Sequence, residues 1–260
     1  MELDLKGKRA LVTGASQGIG AAIARRLARE GCDLHLAARS ADALSALAGE
    51  LKRAHGVNVL EFARDLGAPG AMEQLASDCS DIDILVNNAG AIPGGRLHEI
   101  DERTWRETWD LKVFGYVNLT RAVYSDMKAR GGGVIVNIIG AGGERPKSNY
   151  ICGGMANASL MAFTQALGGD SMYDGIRVVG INPGPVATER LIGLMRNSAQ
   201  DRLGDPERWE ELFEPFPENR AGTPEEIADM TAFLASDRAS YTSGTVMTVD
   251  GGYSNRGSLM

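Results

Sequence analysis

The chain has 260 residues, 33 of them glycine, and a formal net charge of −7. Glycine is about twice as frequent as in an average protein, but it follows no three-residue period, so a collagen-like chain is excluded. The acidic balance argues against a general nucleic-acid binder, and the sequence lacks the polybasic runs that hold proteins on anionic membranes. We expect a globular protein with no nucleic-acid and no membrane partner.

The cysteines and the amino-terminal residues indicate the cellular compartment in which the protein works. Cys32, Cys79 and Cys152 have no metal-ligand spacing, so no metal site is predicted. Their odd number argues against a disulfide framework, and the first residues lack the architecture of a signal peptide. We therefore expect a cytoplasmic protein.

Short apolar runs alternate with stretches of helical period along the whole chain. The runs resemble strands that are buried on both faces, and they lie at 10–12, 34–37, 58–62, 84–86, 134–139, 177–181 and 245–249. A leucine repeat predicts a helix over 41–55, and Thr223 followed by Pro224 predicts the start of a late helix. The alternation predicts an α/β fold, a doubly wound parallel sheet, in a single domain over 1–260.

A glycine-rich segment, TGASQGIG at 13–20, joins the first predicted strand to the first predicted helix. Gly14, Gly18 and Gly20 allow a tight turn and a close approach of the backbone to a pyrophosphate. The helix that follows offers free N–H groups and the positive end of its dipole. A tight turn without a ligand is the alternative, but the place between strand and helix favours dinucleotide binding.

The sequence resembles the short-chain dehydrogenase/reductase family over nearly its whole length. The resemblance is carried by TGASQGIG at 13–20, Asp65-Leu66, NNAG at 87–90, NPGPV at 182–186 with Thr188, and SG and VDGG within 243–252. It implies a Rossmann-type sheet of about seven strands with helices on both faces. It also implies an oxidoreductase that interconverts an alcohol and a carbonyl with NAD or NADP, a homotetramer, a small-molecule substrate and a substrate lid at about 189–223.

The resemblance assigns the cofactor contacts residue by residue. They are Gly14, Ser16, Gln17, Gly18, Ile19 and Gly20 around the pyrophosphate and adenosine ribose, Asp65 and Leu66 at the adenine, Asn88, Ala89 and Gly90 at the ribose, and Pro183, Gly184, Val186 and Thr188 at the nicotinamide. The second strand ends at Arg39 and Ser40 without a carboxylate for the ribose 2′-OH, and Arg39 offers donors to a 2′-phosphate. This favours NADP(H) over NAD(H), the alternative being a solvated Arg39 that stacks on the adenine.

The catalytic positions depart from the family pattern of Ser, Tyr-x-x-x-Lys and Asn. The literal match YSDMK at 124–128 precedes the strand 134–139, whereas the family's pair follows that strand, so we reject it. Alignment by the flanking segments gives the four replacements, which are Gly140 for Ser, Gly153 for Tyr, Asn157 for Lys and Lys112 for Asn. With these four replacements the chain is similar to a subset of the family that has Lys in an LKVFG stretch and Tyr-Ile-x-Gly before Asn.

These departures suggest a relocated catalytic set. Tyr150 lies one helical turn before Gly153, whose small size leaves room for a phenol. We predict Tyr150 as general acid/base, Lys112 as the cation that tunes it, and Asn157 as a ligand of the nicotinamide ribose. The alternatives are a packing role for Tyr150 with a solvated Lys112, chemistry by other residues, a dinucleotide-binding sensor or structural subunit without redox turnover, and lyase or isomerase work with a retained cofactor.

The lid segment is rich in apolar side chains, among them Trp209, Phe213 and Phe216. Such residues indicate either a substrate with hydrophobic surface or packing of the lid on the domain. Arg190 and Arg196 lie in the same segment, and each is either a ligand for an acidic substrate group or a solvated side chain.

Overall fold

Seven parallel strands form one sheet in the computed structural model, which describes residues 2–256. The strands are β1 (Arg9–Thr13), β2 (Asp33–Ala38), β3 (Val59–Ala63), β4 (Ile84–Asn87), β5 (Gly133–Ile138), β6 (Ile176–Pro183) and β7 (Val246–Val249), and the spatial order is β3-β2-β1-β4-β5-β6-β7. The predicted doubly wound α/β sheet is confirmed, and each strand matches its predicted run to within two residues at either end.

Within the described part of the chain, eight α-helices connect the strands: α1 (Gly18–Arg29), α2 (Ala41–His55), α3 (Ala71–Asp78), α4 (Glu102–Trp109), α5 (Gly115–Ala129), α6 (Ile151–Asp170), α7 (Glu189–Leu203) and α8 (Pro224–Ala235). A π-helical turn, Asp110–Phe114, joins α4 to α5. Helix α2 has the predicted bounds, and its amino terminus is capped by Ser40, which accepts a hydrogen bond from the Ala43 N–H. Helix α8 begins at the predicted Pro224 behind a capping box of Thr223 and Glu226.

The helices cover both faces of the sheet. On one face α1, α2 and α8 pack on Val12, Leu36 and Val86. On the other, α3 and α5 pack on the alternate strand residues, such as Leu11 and Leu85. Because successive strand side chains point to opposite faces, both faces must be apolar, and the short continuous apolar runs of the sequence meet that need.

A chain of buried polar side chains ties the centre of the sheet to the helices around it. Asn87 Nδ2 donates to Thr120 Oγ1 (3.1 Å) and to Asn137 Oδ1 (2.9 Å), and Asn137 Nδ2 donates to Thr164 Oγ1 (2.9 Å). The chain joins β4 and β5 to α5 and α6. It therefore fixes the carboxyl ends of these strands, which is the edge where ligands bind in open parallel sheets.

The other sequence-level expectations concern cysteines, metals and membranes. The three cysteines are free and buried, and burial raises the pKa of the Cys32 and Cys79 thiols to about 12. Within residues 2–256 there is no cluster of three or more His, Cys, Asp or Glu side chains that could hold a metal ion. In the same part of the chain no helix has the length and apolarity needed to cross a membrane.

Candidate functional site

The glycine-rich turn between β1 and α1 forms one wall of the candidate site. A side chain at Gly20 would place its Cβ 2.2 Å from the Gly14 carbonyl oxygen, so the turn closes only without one. Gly18 has a left-handed φ of +55°, and its bare α-carbon faces the Thr188 methyl group. The first turn of α1 holds no acidic residue, and its N-cap Gln17 makes no side-chain cap. Its N–H groups are therefore available to an anion.

Neighbouring loops are fastened to this turn. Thr13 Oγ1 accepts from the N–H groups of Asn88 (2.9 Å) and Ala89 (3.0 Å), and Asn88 Nδ2 donates to the Thr13 carbonyl (2.9 Å). At the end of β6, Thr188 caps α7 by accepting from the Leu191 N–H. The structure thus brings the 13–20, 87–90 and 182–188 motifs to one edge of the sheet, at the point where the strand order reverses between β1 and β4.

The predicted adenine end lies at the carboxyl ends of β2 and β3. Leu66 is buried, whereas Asp65 is exposed and accepts a hydrogen bond from the Gly67 N–H. Arg39 and Ser40 follow β2 and are both exposed, with the Ser40 oxygen engaged as the cap of α2. The guanidinium of Arg39 is therefore the cationic group that this strand end offers to a ligand.

Tyr150 lies at the N-cap of α6, one residue before the helix begins. Its ring folds back over Gly153, where a Cβ would stand 2.0 Å from the ring Cζ and 2.4 Å from the hydroxyl oxygen. On its other side the ring borders Gly142. The phenol therefore occupies space that any side chain at position 153 would claim, although the helix itself does not extend back to Tyr150.

Lys112 lies on the π-helical turn between α4 and α5. Its Nζ donates to the Ile139 carbonyl oxygen at 2.6 Å, and its alkyl chain runs along the bare α-carbon of Gly90. Burial, with the nearby positive charge of Arg190 as a second cause, lowers the pKa of Lys112 to about 8. The amine therefore loses its proton more readily than an exposed lysine does.

Asn157 is almost fully buried, with 2% of its surface exposed. Its Oδ1 accepts no hydrogen bond from any residue within 2–256. A Cβ at Gly140 would lie 2.8 Å from its Nδ2, so a serine in the family's position would collide with this asparagine. The two replacements thus depend on each other. An orphaned buried acceptor fits a ligand hydroxyl, such as one from a ribose, and together with the open α1 amino terminus it fits a dinucleotide.

Arg190, on the second residue of α7, is the site residue whose place the sequence did not reveal. Its Nη2 donates to the Ile92 carbonyl at 3.0 Å, in the loop after β4. Burial raises the pKa of the Tyr150 phenol, and the charge of Arg190 opposes that rise. The tuning of Tyr150 by Lys112 stays a prediction. The sequence named Arg190 only as either a substrate ligand or a solvated side chain, and it held no signal for the contact with the loop after β4.

The rejected literal motif has a different role. Tyr124 OH donates to Asp174 at 2.9 Å, and Lys128 Nζ pairs with the same carboxylate at 2.8 Å. Both residues therefore fasten α5 to the turn Ser171–Asp174, and both are engaged by one surface carboxylate.

The aromatic residues of the predicted lid pack on each other and on the carboxyl-terminal segment. The ring of Phe213 lies edge-on to Trp209 and to Phe216, and Phe216 stacks on Tyr253 with ring centroids 4.7 Å apart. For these side chains the packing interpretation fits better than that of a hydrophobic substrate surface.

The chain matches a family model described as "Enoyl-(Acyl carrier protein) reductase" over residues 14–254. It is 37% identical over 257 residues to galactitol 2-dehydrogenase (L-tagatose-forming) of Cereibacter sphaeroides, covering 96% of each chain. The chain belongs to the short-chain dehydrogenase/reductase family. It is therefore an oxidoreductase of the class that acts on CH–OH and C=O groups.

Two further relatives of the family bear on the cofactor. The structure of L-sorbose reductase from Gluconobacter frateurii, complexed with NADPH and L-sorbose, superposes with a TM-score of 0.93 at 35% identity, covering 98% of this chain and 100% of that one. The NADPH-dependent reductase BacG of Bacillus subtilis is 31% identical over 252 residues, covering 94% of this chain and 96% of the relative. Family members similar to this chain thus use NADPH.

Proposed function

We propose that this chain is an NADP(H)-dependent oxidoreductase that interconverts an alcohol and a carbonyl through Tyr150, Lys112 and Asn157 in place of the family's usual set. The observation that carries the proposal is the Tyr150 phenol lying over Gly153, at the position where the family keeps its tyrosine. Within residues 2–256 no hydrogen bond contributes to the pKa of the Tyr150 hydroxyl, which leaves this group for a substrate oxygen.

Each residue of the set has a defined task. A bound NADP(H) supplies or accepts the hydride at the substrate carbon. Tyr150 donates a proton to the carbonyl oxygen in the reductive direction and accepts one from the alcohol in the oxidative direction. The Lys112 ammonium stabilises negative charge that develops at that oxygen. Asn157 Oδ1, buried and without a partner among the described residues, accepts from a ribose hydroxyl and so orients the cofactor.

Replacing Tyr150 with phenylalanine tests the proposal. Y150F removes only the hydroxyl, so we expect kcat to fall by about 10²–10⁴-fold while the Kd for NADPH, measured by its fluorescence, stays unchanged. The matched control is Y124F, which alters the tyrosine of the rejected motif and leaves kcat at its original value. Full turnover in Y150F contradicts the proposal. Cofactor binding by the original chain without turnover of any carbonyl favours the sensor or structural role.

The substrate panel for this assay follows from the relatives. Galactitol 2-dehydrogenase and L-sorbose reductase are named for polyols and ketoses. We therefore include L-sorbose, L-tagatose and galactitol, together with simple aliphatic and cyclic ketones. Absorbance at the nicotinamide band measures redox turnover, and product without any change in this absorbance indicates lyase or isomerase work.

The preference for NADP(H) rests on Arg39. The end of β2 offers this guanidinium and no carboxylate, so a 2′-phosphate meets a positive charge and no repulsion. We expect titration with both cofactors to give a lower Kd for NADPH than for NADH, and R39Q to remove most of the difference. A tenfold preference of the original chain for NADH contradicts this assignment and makes the protein an NAD-dependent dehydrogenase.

We further propose a homotetramer in the cytoplasm. Leu97 and Phe114 are exposed apolar side chains that border a groove lined by Trp105 and Trp109 at α4. Tyr173 is also exposed, in the turn that follows α6. The apolar groove supports a subunit contact at α4. The three reduced, buried cysteines suit a reducing compartment.

A further inference from the structure

The lid helix α7 brings a second positive charge to the candidate site. Arg190 donates from Nη2 to the Ile92 carbonyl, and within the described residues its Nε and Nη1 make no hydrogen bond. The loop that receives Arg190 also reaches the other side of the site, because the Gly95 N–H donates to the Asn149 carbonyl at 2.8 Å and Gly95 pairs with Tyr150 in a β-bridge. Arg190 and Tyr150 are therefore fastened to opposite ends of one short segment, 92–95.

The charges around this segment do not balance within the chain. After burial, the positive charge of Arg190 is the second cause that lowers the pKa of Lys112, and the same charge opposes the rise in the pKa of Tyr150. In residues 2–256 neither Lys112 nor Arg190 forms an ion pair with a carboxylate. Two cations held close together without a counter-charge favour an anion between or beside them.

The second arginine of α7 differs in this respect. Arg196 Nη2 approaches Glu207 Oε2 at 3.4 Å and so has a carboxylate partner within the lid. The two arginines thus differ in the structure: Arg196 has a carboxylate partner, whereas Arg190 contacts the segment 92–95, which pairs with Tyr150, and has no carboxylate partner within residues 2–256.

We infer that Arg190 is a specificity-determining residue that binds an anionic group, a carboxylate or a phosphate, on the substrate whose carbonyl or alcohol reacts at Tyr150. This inference rests on the proposed function, since it assumes that the reacting oxygen meets Tyr150. A planar guanidinium with two free donor positions suits a bidentate contact with a carboxylate or phosphate. The substrate class is then an oxo or hydroxy acid, or a phosphorylated ketose, and not a neutral ketone.

Matched pairs of charged and neutral substrates test the inference. We expect a higher kcat/KM for levulinate than for methyl levulinate, and for acetoacetate than for methyl acetoacetate, if the anion is a carboxylate. A higher value for dihydroxyacetone phosphate than for dihydroxyacetone identifies a phosphate instead. In R190Q the preference for the charged member is expected to fall by at least tenfold through a higher KM for that member, whereas any change in kcat that follows from the lost charge beside Tyr150 and Lys112 is expected to be the same for both members. R190K restores part of it, and R196Q, on the same helix, leaves it intact.

Two outcomes overturn the inference. An equal loss for charged and neutral substrates in R190Q shows that Arg190 acts on proton transfer or on the lid, and a raised KM for NADPH shows that its anion belongs to the cofactor.

If the original chain turns over no carbonyl at all, the proposed function fails by itself. Titration of the chain with NADP⁺ and succinate, followed by calorimetry, then still tests anion binding. Binding that R190Q abolishes and R196Q retains supports the anion site, and no binding, or equal binding in both variants, contradicts it.

Discussion

At the scale of single residues, the environment of a side chain in this site differs from what its residue type suggests. Lys112 is a lysine on a helical turn, a residue type that is usually solvated, yet its amine is held against the Ile139 carbonyl with a pKa lowered to about 8. Burial of an ammonium without a carboxylate partner costs stability. A residue that is retained at such a cost is a candidate for function.

This cost predicts that K112M stabilises the fold while it impairs turnover. A shift of the Lys112 pKa from 10.5 to about 8 corresponds to a cost of about 3 kcal/mol in the stability of the original chain at pH 7. K112M removes this cost but also loses the hydrogen bond to the Ile139 carbonyl, which contributes about 1 kcal/mol. We expect the free energy of unfolding at pH 7 to rise by about 1–2 kcal/mol. The control K128M removes a surface lysine that pairs with Asp174 and should bring no such gain.

The pH dependence of this gain has a defined sign. The folded pKa of Lys112 is depressed, so above about pH 8 the folded chain releases a proton that the unfolded chain holds up to about 10.5. The stability of the original chain therefore rises with pH in that window. The advantage of K112M is expected in full below pH 8 and to shrink toward pH 10. Denaturant melts at pH 7 and 9.5 measure it, and an advantage that grows with pH contradicts the assignment.

At the scale of elements, the small residues of α6 and of the segment before it make room for larger neighbours. Gly153 leaves space for the Tyr150 ring, and Gly140 leaves space for Asn157. Both glycines replace larger residues of the family pattern. The Tyr150 ring, from one turn earlier, fills the space at Gly153, and Asn157 of α6 fills the space at Gly140. The helix thus presents the phenol from its N-cap instead of from its own face.

The helix contains a matched pair of glycines that separates activity from helix stability. G153A places a methyl group where the Tyr150 ring lies, so the phenol must move, and we expect kcat/KM to fall by about 10²-fold. At Gly169, on the same helix, an added Cβ meets nothing within 4 Å. G169A is expected to leave kcat/KM unchanged and to stabilise the chain by about 0.5–1 kcal/mol.

Steady-state kinetics and thermal melts of the two variants decide between the roles of Tyr150. If G153A retains its full kcat/KM, the position of the phenol is irrelevant to turnover and the relocated-tyrosine proposal is wrong. If both variants lose activity alike, the loss comes from the helix as a whole.

At the scale of the whole molecule, the exposed apolar groove at α4 is more than a set of isolated surface residues. Phe114 is 51% exposed and is the last residue of the π-helical turn that carries Lys112. A subunit contact at this face would therefore adjoin the element that positions the amine. Assembly and active-site geometry would then be linked through a turn of five residues.

This arrangement predicts that F114D lowers the oligomeric state. A carboxylate in the α4 groove would be buried in a subunit contact without a partner, which is strongly unfavourable. Light scattering coupled to size exclusion is expected to give a tetramer for the original chain and a smaller species for F114D. The control L60D changes a side chain of similar exposure, 53%, on the edge strand β3 and should leave the mass unchanged. A monomeric original chain contradicts the proposed assembly.

The sequence by itself determined the architecture, whereas the cofactor contacts that it assigns stay a prediction. Apolar runs of strand length, a helical leucine repeat and the capping residue Thr223 are local signals, and local signals predict elements because backbone geometry and burial act over a few residues. The glycine turn at 13–20 could be interpreted in the same way, since the close approach of Gly14 and Gly20 depends on the lack of side chains within one segment.

Only the tertiary structure decided how the altered catalytic positions relate to each other. The ring of Tyr150 over Gly153, the Lys112 amine on the Ile139 carbonyl and the orphaned oxygen of Asn157 depend on side-chain directions and on burial between separate elements. The approach of Arg190 joins a lid helix to a loop almost a hundred residues earlier in the chain. No spacing in the sequence encodes these distances, because they arise when the sheet edge, α6 and the lid pack together.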